Sequence, residues 1–460
     1  MNTKHPSTNQ ASVQPLPALA ARSGAQQSSG GAFDVCINGA GPIGATIACL
    51  LARKGLRVAV VERNALPRAP RPELDGRAYA LAEGVIPLLA ESGIWTRLPR
   101  QAEPITTIDI IDSAGRPVAD GLPGGLLGRA LRQNLDKVTF TPGDAPEGHP
   151  FGWMVEAYDL LPAITHALEA ARPAQPGAAG VTVFEQTEAD FAFSPEGVTI
   201  SLSPAGQEGY GQESARTITA PLAIACDGRR SALREAAGIP LTVLPYGKHA
   251  LVVPLVHERP HHGSALEHFL PEGPFARLPL PPGPGGEFRS ALVWTDTPER
   301  IHHLATLPAE AFLRQAQKRL GDRSLGALKL AGKRWRYPLT SQYAHRYKAE
   351  RLLLAGDAAH GLHPVAGQGM NLGFRDVRLI VRLLGEAFSQ GADLGSPELL
   401  ARYQRQARPE DFAMLVGCDV MERLFSSRNP VAITARRLGM NVMARLPPLR
   451  RRFIAQAMGY

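Results

Sequence analysis

From Phe33 onward, short apolar runs alternate with glycine-rich breaks. Residues 33–38 are apolar, GAGPIG follows, and Ile43, Ile47, Leu50 and Leu51 then recur at helical spacing until Gly55. Residues 57–62 form the next apolar run. Strand, glycine turn, helix and strand within about thirty residues make a βαβ unit, which predicts a parallel sheet covered by helices. Two similar units lie far downstream. Residues 222–226 lead into Asp227 and Gly228, after which Ser231 is placed to cap a helix that stops at Gly238. Residues 351–355 lead into GDAAH and a glycine-rich loop. Beyond that loop Met370, Phe374, Val377, Val381 and Leu384 share one face of a long helix. Between these units, 250–256, 275–280 and 288–295 read as strands, the last two joined by PPGPGGE, so the intervening sheet is expected to be antiparallel.

Length and composition fit this picture. At 460 residues and 44% hydrophobic the chain exceeds what one core fills, so two domains are expected. Residues 1–31, rich in Ser, Gln, Ala, Pro and Gly, read as a disordered leader. The net charge of +8 is concentrated at one end: residues 421–460 carry eight arginines against one acid, Glu422. No nucleic-acid partner is expected. Cys36, Cys49, Cys226 and Cys418 are scattered in apolar stretches without metal-ligand spacing and read as reduced core thiols of a cytoplasmic protein. No apolar run approaches the roughly 18 residues that span a bilayer.

The glycine loops carry the candidate chemistry. Gly39 allows a tight turn, Gly41 lets backbone approach a pyrophosphate, and Gly44 lets the helix pack on the strand, with Pro42 and Ile43 opening that helix. Its N-terminus offers free N–H groups and partial positive charge to phosphate. Glu62 ends the second strand where an acid can bind ribose hydroxyls, and Arg63 follows it. Glycines alone do not choose between NAD and FAD. Asp357, just after a strand, can accept hydrogen bonds from ribityl hydroxyls, and Gly367 and Gly369 permit close backbone approach. The helix starting near Met370 aims its N-terminus where a reduced flavin accumulates negative charge.

The stretch HPVAGQGMNLGFRD, from His363 to Asp376, resembles the signature of the ubiquinone-biosynthesis hydroxylases, within the para-hydroxybenzoate hydroxylase-like FAD-dependent monooxygenases. The likeness continues in LDGRAYAL around Arg77, in CDGRRSALR around Asp227, in LVWT, and in MERLFSSRNP near the C-terminus. The resemblance implies FAD contacts from Arg77, Asp227, Pro364, Gly367, Gln368, Gly369, Met370 and Asn371. It also implies a reaction in which NAD(P)H reduces FAD, oxygen is captured as a C4a-hydroperoxide, and one oxygen passes to the ring of a polyprenylated phenol. No general base is assigned. The expected fold is α/β, α+β overall, with a Rossmann-like FAD-binding domain (32–105, 150–240 and 340–390). A mostly antiparallel substrate domain (106–149 and 241–339) and a C-terminal helical segment (391–460) complete it. Two alternatives stay open: an FAD oxidoreductase without oxygen transfer, and a non-catalytic flavin-binding subunit of a quinone-biosynthesis complex.

Two features invite other readings. His257, His261 and His262 crowd together, but Pro260 and Gly263 make the segment a loop, so a solvated hairpin is expected and no metal. The arginine-rich tail reads either as a solvated helical face or, given a polyprenylated substrate, as a peripheral contact with an anionic inner-membrane face.

Overall fold

The structure, a computed structural model, describes residues 31–73, 75–113, 137–206, 216–270, 272–321, 325–362, 368–427 and 429–459. The expectations for the leader through residue 30, and for Pro364 and Gly367, lie outside the described residues.

The fully apolar runs become the middle of a six-stranded sheet in the order Lys348–Ala349, Leu352–Leu354, Ala223–Ala225, Val35–Asn38, Arg57–Glu62 and Gly180–Glu185. All neighbours pair in parallel except the short Lys348–Ala349 edge. Central parallel strands are covered on both faces, which is why their sequences are apolar at nearly every position. Helix α1 (Pro42–Arg53), with Pro42 in its first turn, packs on this sheet, burying Ile47, Leu50 and Leu51. Helix α2 (Ala157–Ala170) joins the same core through Leu160, Ile164 and Leu168.

The second large sheet has nine strands and is antiparallel apart from the pairing of Ser264–Leu270 with Thr107–Asp112. Its longest strand, Leu241–His257, begins well before the expected residue 250. Pro245 and Gly247 hide that extension in the sequence, and the register shifts between Pro245 and His249. One face of the sheet, with Leu251, Val253, Leu292 and Trp294, packs on α3 (Pro298–Thr306) and α4 (Ala309–Leu320). The other face, with Ala265, Phe269 and Ala291, packs against Phe425, Met440, Ile454 and Met458 of the C-terminal helices. A three-stranded sheet of Ala78–Ala82, Gly152–Glu156 and Glu103–Ile105 lies beside that face.

Helix α5 (Gln368–Ser389) returns to the parallel sheet and packs on α1, and α6 (Pro397–Ser426), α7 (Pro430–Arg445) and α8 (Pro447–Ala457) complete the chain. Two local expectations are corrected. The histidine segment is not a solvated hairpin: His257 and His261 are buried, and His257 spans Ser290 Oγ at 2.9 Å and the Arg259 carbonyl at 2.8 Å. Burial pulls His261 down to about 4, so it is a neutral core group. Nor is the tail's charge all at the surface. Arg436 is buried and donates to Asp112 at 2.6 Å, and Arg450 pairs with Asp144.

Candidate flavin site

The first glycine loop is shaped by what it must avoid. Gly39 has φ of +107°, and a Cβ there would overlap the Cys226 carbonyl oxygen, while one on Gly44 would overlap the Gly39 oxygen. These two glycines let α1 lie against two strand ends at once. Gly41 differs: among the described residues a Cβ there would meet nothing within 4 Å. It faces open space at a helix N-terminus that has neither an acidic residue in its first turn nor a side-chain cap. An open cradle beside free N–H groups has the shape and polarity a pyrophosphate needs.

Glu62 reaches back under this loop. Its Oε2 accepts from Ala40 N at 3.0 Å and its Oε1 from Asn64 N at 2.9 Å, so the acid braces the turn at the end of its strand. Arg63 is exposed. Asp227 follows the Ala223–Ala225 strand; its Oδ2 takes Asn38 Nδ2 at 3.3 Å and Leu233 N at 3.4 Å, while its buried Oδ1 has no partner. An orphaned buried carboxylate oxygen costs about 1–3 kcal/mol unless a ligand donates to it. It sits at the carboxyl ends of parallel strands, where open α/β sheets bind their ligands.

Arg77 and Asp357 form the other side. Arg77 pairs with Asp75 at 2.6 Å and lies over the Tyr79 ring, 5.7 Å from its centroid. Gly76 is required there because a Cβ would overlap the Trp335 indole, so the nine-stranded sheet rests directly on this backbone. Asp357 remains half exposed, with Arg229 Nε 3.4 Å away. Arg229 was not singled out from the sequence, yet its guanidinium also holds the Thr340 carbonyl at 2.9 Å and the Leu362 carbonyl at 3.0 Å, pinning the loop before the glycine signature.

The signature residues divide by task. Gln368 and Gly369 open α5, whose first turn holds no acid, and among the described residues a Cβ on Gly369 would meet only the Leu362 oxygen at 4.0 Å. Met370 packs against the core of the parallel sheet. Asn371 ties α5 to the Ala78–Ala82 strand: Oδ1 accepts from Ala82 N at 2.9 Å and Nδ2 donates to the Ala80 carbonyl at 3.0 Å. Ile43 of α1 fills the gap left by two glycines. A Cβ on Gly373 would lie 2.8 Å from Ile43 Cδ1, and one on Gly356 would lie 3.2 Å from Ile43 Cγ1.

Beside Gly356 is a cluster that the sequence did not disclose. Asp376 Oδ2 accepts from Gly356 N at 2.8 Å and from His360 Nε2 at 2.7 Å, and Asp411 Oδ2 lies 3.6 Å from the same nitrogen. All three side chains are buried. Burial pulls the imidazole down, but the Asp376 and Asp411 charges outweigh it and raise it to about 9. Burial pushes Asp411 up from the ordinary carboxyl range, against the downward pull of the neighbouring imidazolium. Among the described residues this is the one group whose ligand atoms could surround a metal ion. The 2.7 Å contact is hydrogen-bond spacing, and the group acts as an ion pair that fixes Gly356 and hence Asp357.

Open backbone at two helix N-termini, an orphaned carboxylate at the strand ends and a half-exposed Asp357 fit a flavin dinucleotide. Residues 32–416 match the FAD binding domain family. Ubiquinone hydroxylase UbiL of Rhodospirillum rubrum is 39% identical over 426 residues, covering 93% of this chain and 89% of that protein. The 3-demethoxyubiquinol 3-hydroxylase of Escherichia coli is 28% identical, covering 93% and 98%. Among solved structures, the p-nitrophenol 4-monooxygenase PnpA of Pseudomonas putida shares the fold, with a TM-score of 0.67 at 16% identity over 93% of this chain and 98% of that one. The chain belongs to the FAD-dependent ubiquinone-biosynthesis hydroxylases.

Proposed function

We propose that this enzyme hydroxylates the aromatic ring of a polyprenylated phenol, with FAD held between the parallel sheet and the nine-stranded sheet. The supporting observation is that the starts of α1 and α5 lie together, Ile43 of one against Gly373 of the other, with Asp227 and Asp357 following two adjoining parallel strands. Gly39, Gly41, Pro42, Ile43 and Gly44 would shape the pyrophosphate turn. Glu62 would lie at the adenosine ribose, with Arg63 beside it. Asp357 would take the ribityl hydroxyls, and Arg77, Gln368, Gly369 and Met370 the ring. FAD supplies the redox chemistry, reduced by NAD(P)H and reacting with O2. The protein positions the phenol, keeps water out and steadies negative charge at the α5 N-terminus. In this reading 32–105, 150–240 and 340–390 serve the cofactor, and 106–149 with 241–339 receive the ring.

The C-terminal helices support a peripheral contact with a membrane or with a quinone-biosynthesis complex. Leu438, Leu446, Leu449 and Phe453 are exposed beside exposed Arg445, Arg451 and Arg452, a mixture suited to an anionic bilayer surface. No helix of the described residues is long and apolar enough to cross a membrane.

Expression in bacterial strains that each lack one ring hydroxylase of ubiquinone synthesis tests the function. Restored quinone in one strain identifies the ring position; failure in every strain, with soluble yellow protein present, removes the reading.

A further inference from the structure

Glu267 lies in the middle of the Ser264–Leu270 strand, on the face that packs against the C-terminal helices. Alternation puts its side chain with Ala265 and Phe269, both members of the apolar cluster beneath the C-terminal helices. Its neighbours in register are Ala276 on one side and Ile110 on the other. The same row continues through Val293 and Val252 to Trp335, the indole that abuts Gly76 next to Arg77. Every neighbour of this acid along the row is apolar.

The carboxyl is deep in the molecule, yet its surface is only partly covered, as for a side chain lining an internal space. Burial, with Glu422 adding to it, pushes its pKa up to about 7. Among the described residues no hydrogen bond or ion pair reaches it. The described cations nearest it on the facing elements are already engaged. Lys248 donates to Glu422 Oε1 at 2.8 Å and to Ser426 Oγ at 2.7 Å, and Arg436 is taken by Asp112. Glu422 Oε2, also buried, has no partner of its own.

The surroundings are small and apolar. Ala265, Ala276 and Ala291 come from the sheet, and Ala78 and Ala80 from the strand that Asn371 ties to the start of α5. A face lined by alanine leaves room for a flat ring, and a single carboxylate supplies one directed acceptor. Apolar walls with one placed polar group are what a phenol site requires.

We propose that Glu267 is a substrate-binding, catalytic residue whose carboxylate accepts the hydrogen bond of the phenolic O–H while the alanine-lined face seats the ring. The inference rests on the ring-hydroxylase reading and names the group in that site that recognises the substrate. A hydrogen bond to an ionised acceptor draws the O–H proton outward and raises electron density on the ring that is to be oxidised.

The test uses the FAD-reconstituted enzyme and an ortho-prenylated p-nitrophenol, whose absorption moves to longer wavelength when its O–H is bonded to an anion. Wild type shifts the band on binding. Glu267→Gln keeps the shape, retains FAD, loses the shift and binds the probe about tenfold more weakly. Glu267→Asp, with the same charge on a shorter arm, keeps part of the shift, which separates charge from volume. A wild-type complex with no shift, or a Glu267→Gln complex with the full shift and full affinity, overturns the proposal. Neither result touches the hydroxylase reading, which stands or falls on incorporation of labelled oxygen by the wild type.

Discussion

His360 shows how much one side chain can hold in place. Its imidazolium satisfies Asp376, whose second task is to accept the Gly356 N–H, and Gly356 precedes Asp357, the residue proposed to take the ribityl hydroxyls. Removing one partner of a buried pair strands the other charge, at about 3 kcal/mol. Asp376→Asn is therefore expected to lower stability by about that amount in denaturant titration and to release FAD more readily; unchanged values for both would sink this role. The pH dependence follows from the sign of the shift. A histidine raised from 6.5 to about 9 contributes its full stabilisation below 6.5 and loses it as pH rises through about 9. Thermal stability should fall across that alkaline window in wild type and fall less in Asp376→Asn.

At the scale of elements, the glycine turns were readable because their chemistry is local. Gly39 and Gly44 are dictated by backbone atoms within one βαβ unit and by the strand beside it. Gly373 and Asp376 were visible as signature positions, but their reasons were not, since Ile43 and Asp411 meet them from other segments. Glu267 and Arg229 were invisible for the same reason: sheet register and loop docking decide what they face. Polar composition misled at His257 and His261, where a neighbouring strand buries them. It misled in the tail as well, where Arg436 and Arg450 pair inward. The surface cations of α7 and α8 are Arg445, Arg451 and Arg452. Replacing those three by Gln is expected to weaken sedimentation with anionic liposomes by about a hundredfold at low salt, from about 1 kcal/mol per cation. Equal sedimentation of the triple variant and wild type would count against the peripheral contact.

At the scale of the whole molecule, the parallel sheet and the nine-stranded sheet each have their own core, and they meet where Trp335 rests on Gly76 and Arg229 bridges to Thr340 and Leu362. The C-terminal helices close the other side, with Phe425 stacked on Phe269 at 4.0 Å between ring centroids. The proposed account seats the ring on the apolar sheet face under this helical cover, where water would be kept from the reaction. The most direct measurement of that arrangement supplies the purified FAD-loaded protein with NAD(P)H, isotopically labelled O2 and a demethylated prenylated quinone precursor. One labelled oxygen in the ring for each NAD(P)H consumed is the expected result, and NAD(P)H consumption with an unlabelled ring would contradict the account.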